Sequence, residues 1–459
     1  MARLSMTTTV AYRTTVVLIW ALAFWHCWVA RGLFIDGSAL LVTMMKNGGY
    51  ALFFDARRHV MALTQGPAAA AIGLGVTDTQ ALGRLLSAGL FFVPTAFYHA
   101  CLLRSRHDPA LLAAVVSAIA IVFLPTSFFA VGEYNTVCAA VLFAGLVLAT
   151  GTRPSVVDGV LLAATAALLV RSYETTLCYG PLLAVLTVWR LSIARGRGLA
   201  VILYGLAALF FVASAVVAVR WFVFPVSALH LAGEVAYVVS FWRNLQFILP
   251  LAALVILAVA GLIAPRLLES RRLYLWTGLL LLALAASPLL WLTDGTVRPF
   301  ARSHYHARMM AGVVTATIVV AIWLYALRPS WAPRAVVALA KPEIARTFLV
   351  FQMAALLAAL PADLQLTGLW QRSLVAFQST ISAHGGLIPM EETALGRDPY
   401  SDMIEGWTLP SQSLLLRRTP SDGIVLPPRG VDIWRPFDSR QPLPAALEGF
   451  FWAGQGRMP

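Results

Sequence analysis

Apolar runs of about 15 to 23 residues recur along the first 360 positions of the chain, separated by short charged stretches, which is the pattern of a polytopic helical membrane protein. Eleven spans are predicted, at about 14–34, 81–103, 110–131, 136–150, 155–170, 175–189, 199–221, 245–264, 273–292, 311–327 and 347–361. The first follows Arg3 and Arg13 and is too long and too rich in Trp for the apolar stretch of a cleaved signal, so it reads as a retained helix. Spans 136–150 and 155–170 are short for a bilayer: either they extend through Glu133 and Arg171, or those charges sit below the interface.

Between the first two spans lies a loop of some 45 residues, 35–80, where most other loops are short. Its first half places Leu40, Leu41, Met44 and Met45 at helical spacing and closes on Asn47-Gly48-Gly49, a helix-stop signal. Its second half predicts another short helix ending at Gly66-Pro67, and the whole loop is expected to lie along the membrane surface. After Pro361 the composition changes to frequent Pro, Gly, Ser and Asp with no spanning run. Within that tail, Leu366, Leu369, Trp370, Leu374, Phe377 and Ile381 fall on one helical face, and SLLLR and GIVLP read as short strands. The expected organisation is an all-α transmembrane part over 1–361 and a small α+β extracytoplasmic domain over 362–459.

Composition changes the picture in two ways. With 59% hydrophobic and 12% charged residues, a soluble enzyme is excluded. The net charge of +13 would suggest nucleic acid in a soluble chain, but most of it is accounted for by topology. With the N-terminus in the cytoplasm, the cytoplasmic positions hold 15 basic and 4 acidic residues, as the positive-inside bias requires. An odd number of spans then puts the C-terminal region outside, in the periplasm if the membrane is a bacterial inner membrane. Cys27, Cys101, Cys138 and Cys178 all lie in or at the ends of apolar runs, so no disulfide framework is expected.

The candidate chemistry gathers on the outside face. Asp36 follows the first helix directly, where a partly desolvated carboxylate could take a proton from a hydroxyl, although Asp at that place is also a preferred helix cap. Asp55 could supply a second carboxylate from the same loop, and either acid could be the base. Arg57, Arg58, Arg171, Arg298 and Arg302 are candidates to hold phosphate oxygens, because a planar guanidinium can grip two at once. His304, His306, Glu133 and Glu174 could bind sugar hydroxyls, while Glu133 or Glu174 could instead simply pair with Arg171. His304 and His306 form a His-x-His pair with no fixed third ligand, so a divalent metal is conceivable but no motif requires a cofactor. No P-loop, dinucleotide fingerprint, Cys-x-x-Cys or His-Glu-x-x-His is present.

A first helix followed by an Asp, about a dozen amphipathic residues, a Gly-containing turn and an aromatic, here Asp36 to Tyr50, resembles the start of GT-C class glycosyltransferases. The pattern is most similar to the protein O-mannosyltransferases and the bacterial lipid A aminoarabinose transferases. Gln65-Gly66-Pro67 and Leu74-Gly75 also look like that family's second loop helix and its exit. The resemblance implies a polyprenyl-phosphate-linked sugar as donor and Asp36 as general base, without the second acid that many members carry next to it, since Gly37 stands there. The other functions open to such a chain are a transporter or flippase for a lipid-linked or small polar substrate, and a non-catalytic assembly subunit whose loop charges anchor lipid headgroups.

Overall fold

The computed structural model describes residues 2–124, 132–150, 153–193, 198–224, 304–328, 334–397, 403–427 and 442–453, with single positions between them. It is 79% helical, with several helices long and apolar enough to span a membrane, as expected of an all-α membrane protein. The helices are α1 (Ala2–Trp28), α2 (Asp36–Asn47), α3 (Arg58–Gly73), α4 (Thr79–Ser105), α5 (Pro109–Ser117), α6 (Tyr134–Thr150), α7 (Val156–Leu169), α8 (Thr176–Ile193) and α9 (Leu199–Val223). They continue with α10 (His304–Leu327), α11 (Arg334–Ala338), α12 (Pro342–Ala383), α13 (Leu409–Leu416) and α14 (Ala445–Glu448). Nine of the eleven expected spans overlap helices, 110–131 through α5 and a π-helical turn over Ala118–Phe123 with 125–131 outside the described residues, as are 245–264 and, apart from Trp276, 273–292.

Burial explains the first of the two short spans, whereas α7 buries only one face. Every residue of α6 from Tyr134 to Ala149 is buried, so this helix meets other helices on all sides and shows no polar stripe. Neither α6 nor α7 extends through Glu133 or Arg171; both charges sit just beyond helix ends. The first span ends earlier than expected, at Trp28, and a short 3-10 turn over Arg31–Leu33 leads into α2.

The first loop differs from the sequence expectation. Helix α2 stops where the glycines indicate, with Gly48 at φ 68°. Helix α3, however, runs through Pro67 to Gly73: a proline removes one backbone donor but continues a helix where packing holds it. That packing is close, because a Cβ placed on Gly89 of α4 would stand 1.7 Å from the Thr64 carbonyl oxygen of α3. Leu40, Leu41, Met44 and Met45 are all buried. The inner faces of α2 and α3 share one apolar core with α4, the second half of α12 and the tail.

The expected boundary at 361/362 falls inside the 42-residue α12, which carries the chain through Pro361 without a break. Past it, Leu369, Trp370, Leu374, Phe377 and Ile381 are buried as the helical spacing predicted, and Leu366 is partly buried. The tail contains a two-stranded parallel sheet, β1 (Leu387–Pro389) and β2 (Ile424–Leu426), with Ile388 opposite Val425. GIVLP is thus a strand, whereas SLLLR belongs to the buried helix α13: Pro410 at its start and a core on all sides favour helix over the apolar run's strand propensity.

The polar pairings between distant segments that follow each join residues that alternating spans place on one side. At one end of the bundle Arg104 meets Asp158 at 2.8 Å, and the Tyr325 hydroxyl donates to Asp108 at 3.1 Å. At the other end stand Arg31 with Asp363 and Arg57 with Glu174.

Candidate functional site

The site begins with the turn out of α1. Ala30 and Ile35 both adopt positive φ, 48° and 45°. For a β-branched residue such as Ile35 this is a strained conformation, worth about 1–3 kcal/mol, that persists only if its surroundings enforce it. Those surroundings are identifiable. Gly32 N–H donates to the Ser87 hydroxyl at 2.9 Å, and a Cβ on Gly32 would meet Ser87 at 2.7 Å, so only glycine allows this approach. Phe34 packs edge-on against Trp370 at 5.5 Å, and the Ser38 hydroxyl donates to the Ile35 carbonyl at 2.8 Å.

Beneath the turn the fully buried Arg31 donates to Asp363 at 2.8 Å and to the Thr367 hydroxyl at 3.2 Å. Asp363 also takes His26 at 2.8 Å. The cluster ties the end of α1 to α12 and so fixes the backbone that carries Asp36. No local pattern in the sequence announces this cluster. The available signal was a His and an Arg five residues apart at one span's end and an acid just past another span on the same side.

Asp36 is the first residue of α2, with Ile35 in the cap position, so it is not the helix's N-cap residue. Its charge instead complements the positive end of the helix dipole. The residue is exposed, not partly desolvated as expected, because the strained turn directs it away from the buried core. Asp55 is exposed as well, in a loose pair with Arg58 at 3.3 Å. A solvent-facing pair of this kind contributes little to stability.

Three of the expected residues converge. The Arg57 Nε and one Nη donate to Oε1 of Glu174 at 2.8 Å, with all three of Arg57, Glu174 and Glu133 buried. Glu174 therefore pairs with Arg57 and not, as one alternative had it, with Arg171. The guanidinium lies between the rings of Tyr173, 4.5 Å away, and Phe54, 4.8 Å away. Burial works against the Arg57 charge, but Glu174, Tyr173 and Glu133 around it more than compensate and hold its pKa above the ordinary guanidinium value. Its Nε and that Nη are thus committed within the protein, which makes Arg57 chiefly a post that fixes the first loop.

The loop is fastened at further points. His59 N–H donates to the Arg171 carbonyl at 2.8 Å, and Phe54 meets Trp221 at the end of α9, 5.9 Å away. Half-buried Arg171 has no side-chain hydrogen bond or ion pair among the described residues. Arg298 and Arg302 lie outside the described residues, as do the side chains of His304 and His306 in the first turn of α10. Among the described residues no three His, Cys, Asp or Glu side chains converge as a metal set.

Around Arg57 stand the rings of Phe54 and Tyr173, with Tyr134 against Tyr173, and the exposed Asp55–Arg58 pair follows in the same loop, while exposed Asp36 lies at the loop's start. A loop so pinned should loosen when its post is removed. Arg57→Ala is expected to speed deuterium exchange of the 50–60 amides roughly tenfold, the equivalent of about 1.4 kcal/mol of local stability. Unchanged exchange there would show that Arg57 does not hold the loop.

No protein-family model, curated protein or solved structure matches this chain.

Proposed function

We propose that the chain is a membrane glycosyltransferase of the GT-C kind, moving a sugar from a polyprenyl-phosphate donor to an acceptor hydroxyl on the side of the first loop. The observation that supports this reading best is the strained turn at Ile35, clamped from below, which presents the exposed Asp36 carboxylate at the start of that loop. Strain held at one point beside an ionisable group is a common device of reactive sites.

In the proposed reaction an Asp36 oxygen takes the proton of the acceptor hydroxyl as the hydroxyl oxygen bonds to the anomeric carbon. The bond from that carbon to the phosphate oxygen breaks, and the polyprenyl phosphate leaves as an anion with the bonding electron pair. Arg171 and Arg58, joined in this proposal by Arg298 and Arg302, offset the charge that develops on phosphate. Aromatic rings such as Tyr173 and Phe54 suit the apolar face of a sugar. In this reading the protein sits in a bacterial inner membrane with the first loop and tail in the periplasm.

The test is transfer from a panel of polyprenyl-phosphate sugars by the full chain reconstituted in lipid. Asp36→Asn is expected to lower transfer by roughly 10²–10⁴-fold while leaving insertion intact, whereas Asp55→Asn changes it little. The reverse result would move the base to Asp55. Full transfer in both variants would remove the carboxylate mechanism, and flux of labelled substrate across the membrane without glycosylated product would replace the enzyme by a transporter.

A further inference from the structure

A second feature on the same end of the bundle lies outside the proposed reaction. Where α1 ends and α4 begins, a small and mainly apolar groove is lined by Trp28, Val29, Ala30, Leu374 and Trp452, with Gln80, Arg84 and Gln371 as its polar residues and no carboxylate in its wall. Arg84 lies flat over the Trp28 ring, 4.1 Å from its centre, and its Nε donates to the Trp28 carbonyl at 3.0 Å. Its terminal nitrogens meet no acceptor among the described residues. The guanidinium is therefore oriented but not neutralised, which suits it to grip two oxygens of a phosphate.

The depth of the groove is set by the helices that form it. Trp28 is the last residue of the apolar span Thr8–Trp28, and Arg84 stands near the start of the span Thr79–Ser105. Trp and Arg are the side chains that settle at the headgroup level of a bilayer. From there an aromatic strip runs into the span: Phe24 one turn below Trp28, Trp20 one turn further, and Phe92 two turns below Arg84 on α4. Phe24 and Phe92 are 4.9 Å apart, Trp20 and Phe92 5.8 Å. Phe24 and Trp28 are 60% and 51% exposed and Trp20 and Phe92 partly so, which leaves the strip open among the described residues.

We infer that this groove binds the phosphate headgroup of an anionic membrane phospholipid, with an acyl chain along Phe24, Trp20 and Phe92. The charge balance selects an anionic lipid: a zwitterionic headgroup would bring an ammonium into a wall that offers it no carboxylate. The lipid also touches the tail, since Trp452 closes the groove and its segment is pinned through Phe451 N–H to Thr77 and Ala453 N–H to Asp78. Bound lipid thus joins the first span, α4, α12 and the tail at the membrane surface.

The experiment uses the full chain in neutral detergent with added phosphatidylglycerol, phosphatidylcholine or inorganic phosphate, read as thermal protection and as lipid retained in native mass spectrometry. Phosphatidylglycerol is expected to protect and be retained, and Arg84→Gln to weaken its apparent affinity roughly tenfold, one charge-assisted contact. Arg372→Gln, which removes an exposed charge beside the groove on α12, should leave that affinity unchanged. Equal protection by phosphatidylcholine, equal protection by inorganic phosphate, or undiminished affinity in Arg84→Gln would each overturn the site. If Arg84→Gln does not fold, a phosphatidylglycerol with a photoreactive acyl chain decides on the wild type: crosslinks on α1 and α4 near Phe24 and Phe92 support the site, and crosslinks only elsewhere refute it.

Discussion

Replacing Asp363 with alanine is expected to cost about 3–5 kcal/mol of folding stability, because Arg31 then stays buried without its carboxylate. The side chains of Arg31 and Asp363 are 0% and 2% exposed, so no water replaces the lost partner. The same change removes the anchor of the Ala30 to Ile35 turn, so any activity that depends on Asp36 should fall with it. The companion variant Arg31→Met with Asp363→Leu deletes both charges, and should recover most of the stability, since a well-packed apolar pair replaces an ion pair at little cost. Thermal unfolding of both variants in the same detergent checks this. If single and double replacements are equally destabilised, the charge pairing is not what holds α1 to α12. Asp55→Ala is the exposed comparison, expected to change stability by only about 0.5 kcal/mol.

Gly89→Leu is expected to be at least as severe. Any Cβ at that position would overlap the Thr64 backbone carbonyl of α3, and backbone cannot swing aside as a side chain can. The two helices would have to separate by more than an ångström, which takes the cost beyond ordinary overpacking, typically about 1–3 kcal/mol, because backbone and not a side chain has to move. The consequence reaches the site, because α3 carries the loop that ends in Arg57 and Arg58. The expected result is loss of the monodisperse peak in size-exclusion chromatography for Gly89→Leu, with partial loss for Gly89→Ala. A wild-type profile for both would mean that α3 and α4 do not approach as closely as the structure has them.

How much of this was legible in the sequence depends on the distance over which each interaction acts. Spans such as 81–103 and 199–221 were readable because about twenty predominantly apolar residues have few other solutions. The stop of α2 was readable at Gly48, since a left-handed residue is a local requirement. The run of α3 through Pro67 was not, because the proline's local cost is met by contacts with α4. SLLLR misled for a similar reason: an apolar run of that length fits strand or helix, and only the surrounding core chooses.

The candidate site divides the same way. Charge counting put Arg57, Glu133 and Glu174 on one face, which sidedness alone decides, and the structure brings these three together. Which residue Glu174 would meet was open, and the fold chose Arg57 over Arg171 by folding the first loop back onto the ends of α6, α8 and α9. The cluster of His26, Arg31 and Asp363 joins residues more than 330 positions apart, a distance no periodicity spans.

By itself, then, the sequence determined a helical membrane chain, its apolar spans and the grouping of its charges by side, because hydrophobic length and local turn chemistry act over a few neighbouring residues. The tertiary structure decided that the first loop is a packed element and that α12 joins the spans to the tail. It also decided that a strained turn over a buried ion cluster carries Asp36, because burial and pairing depend on which distant segments share a core.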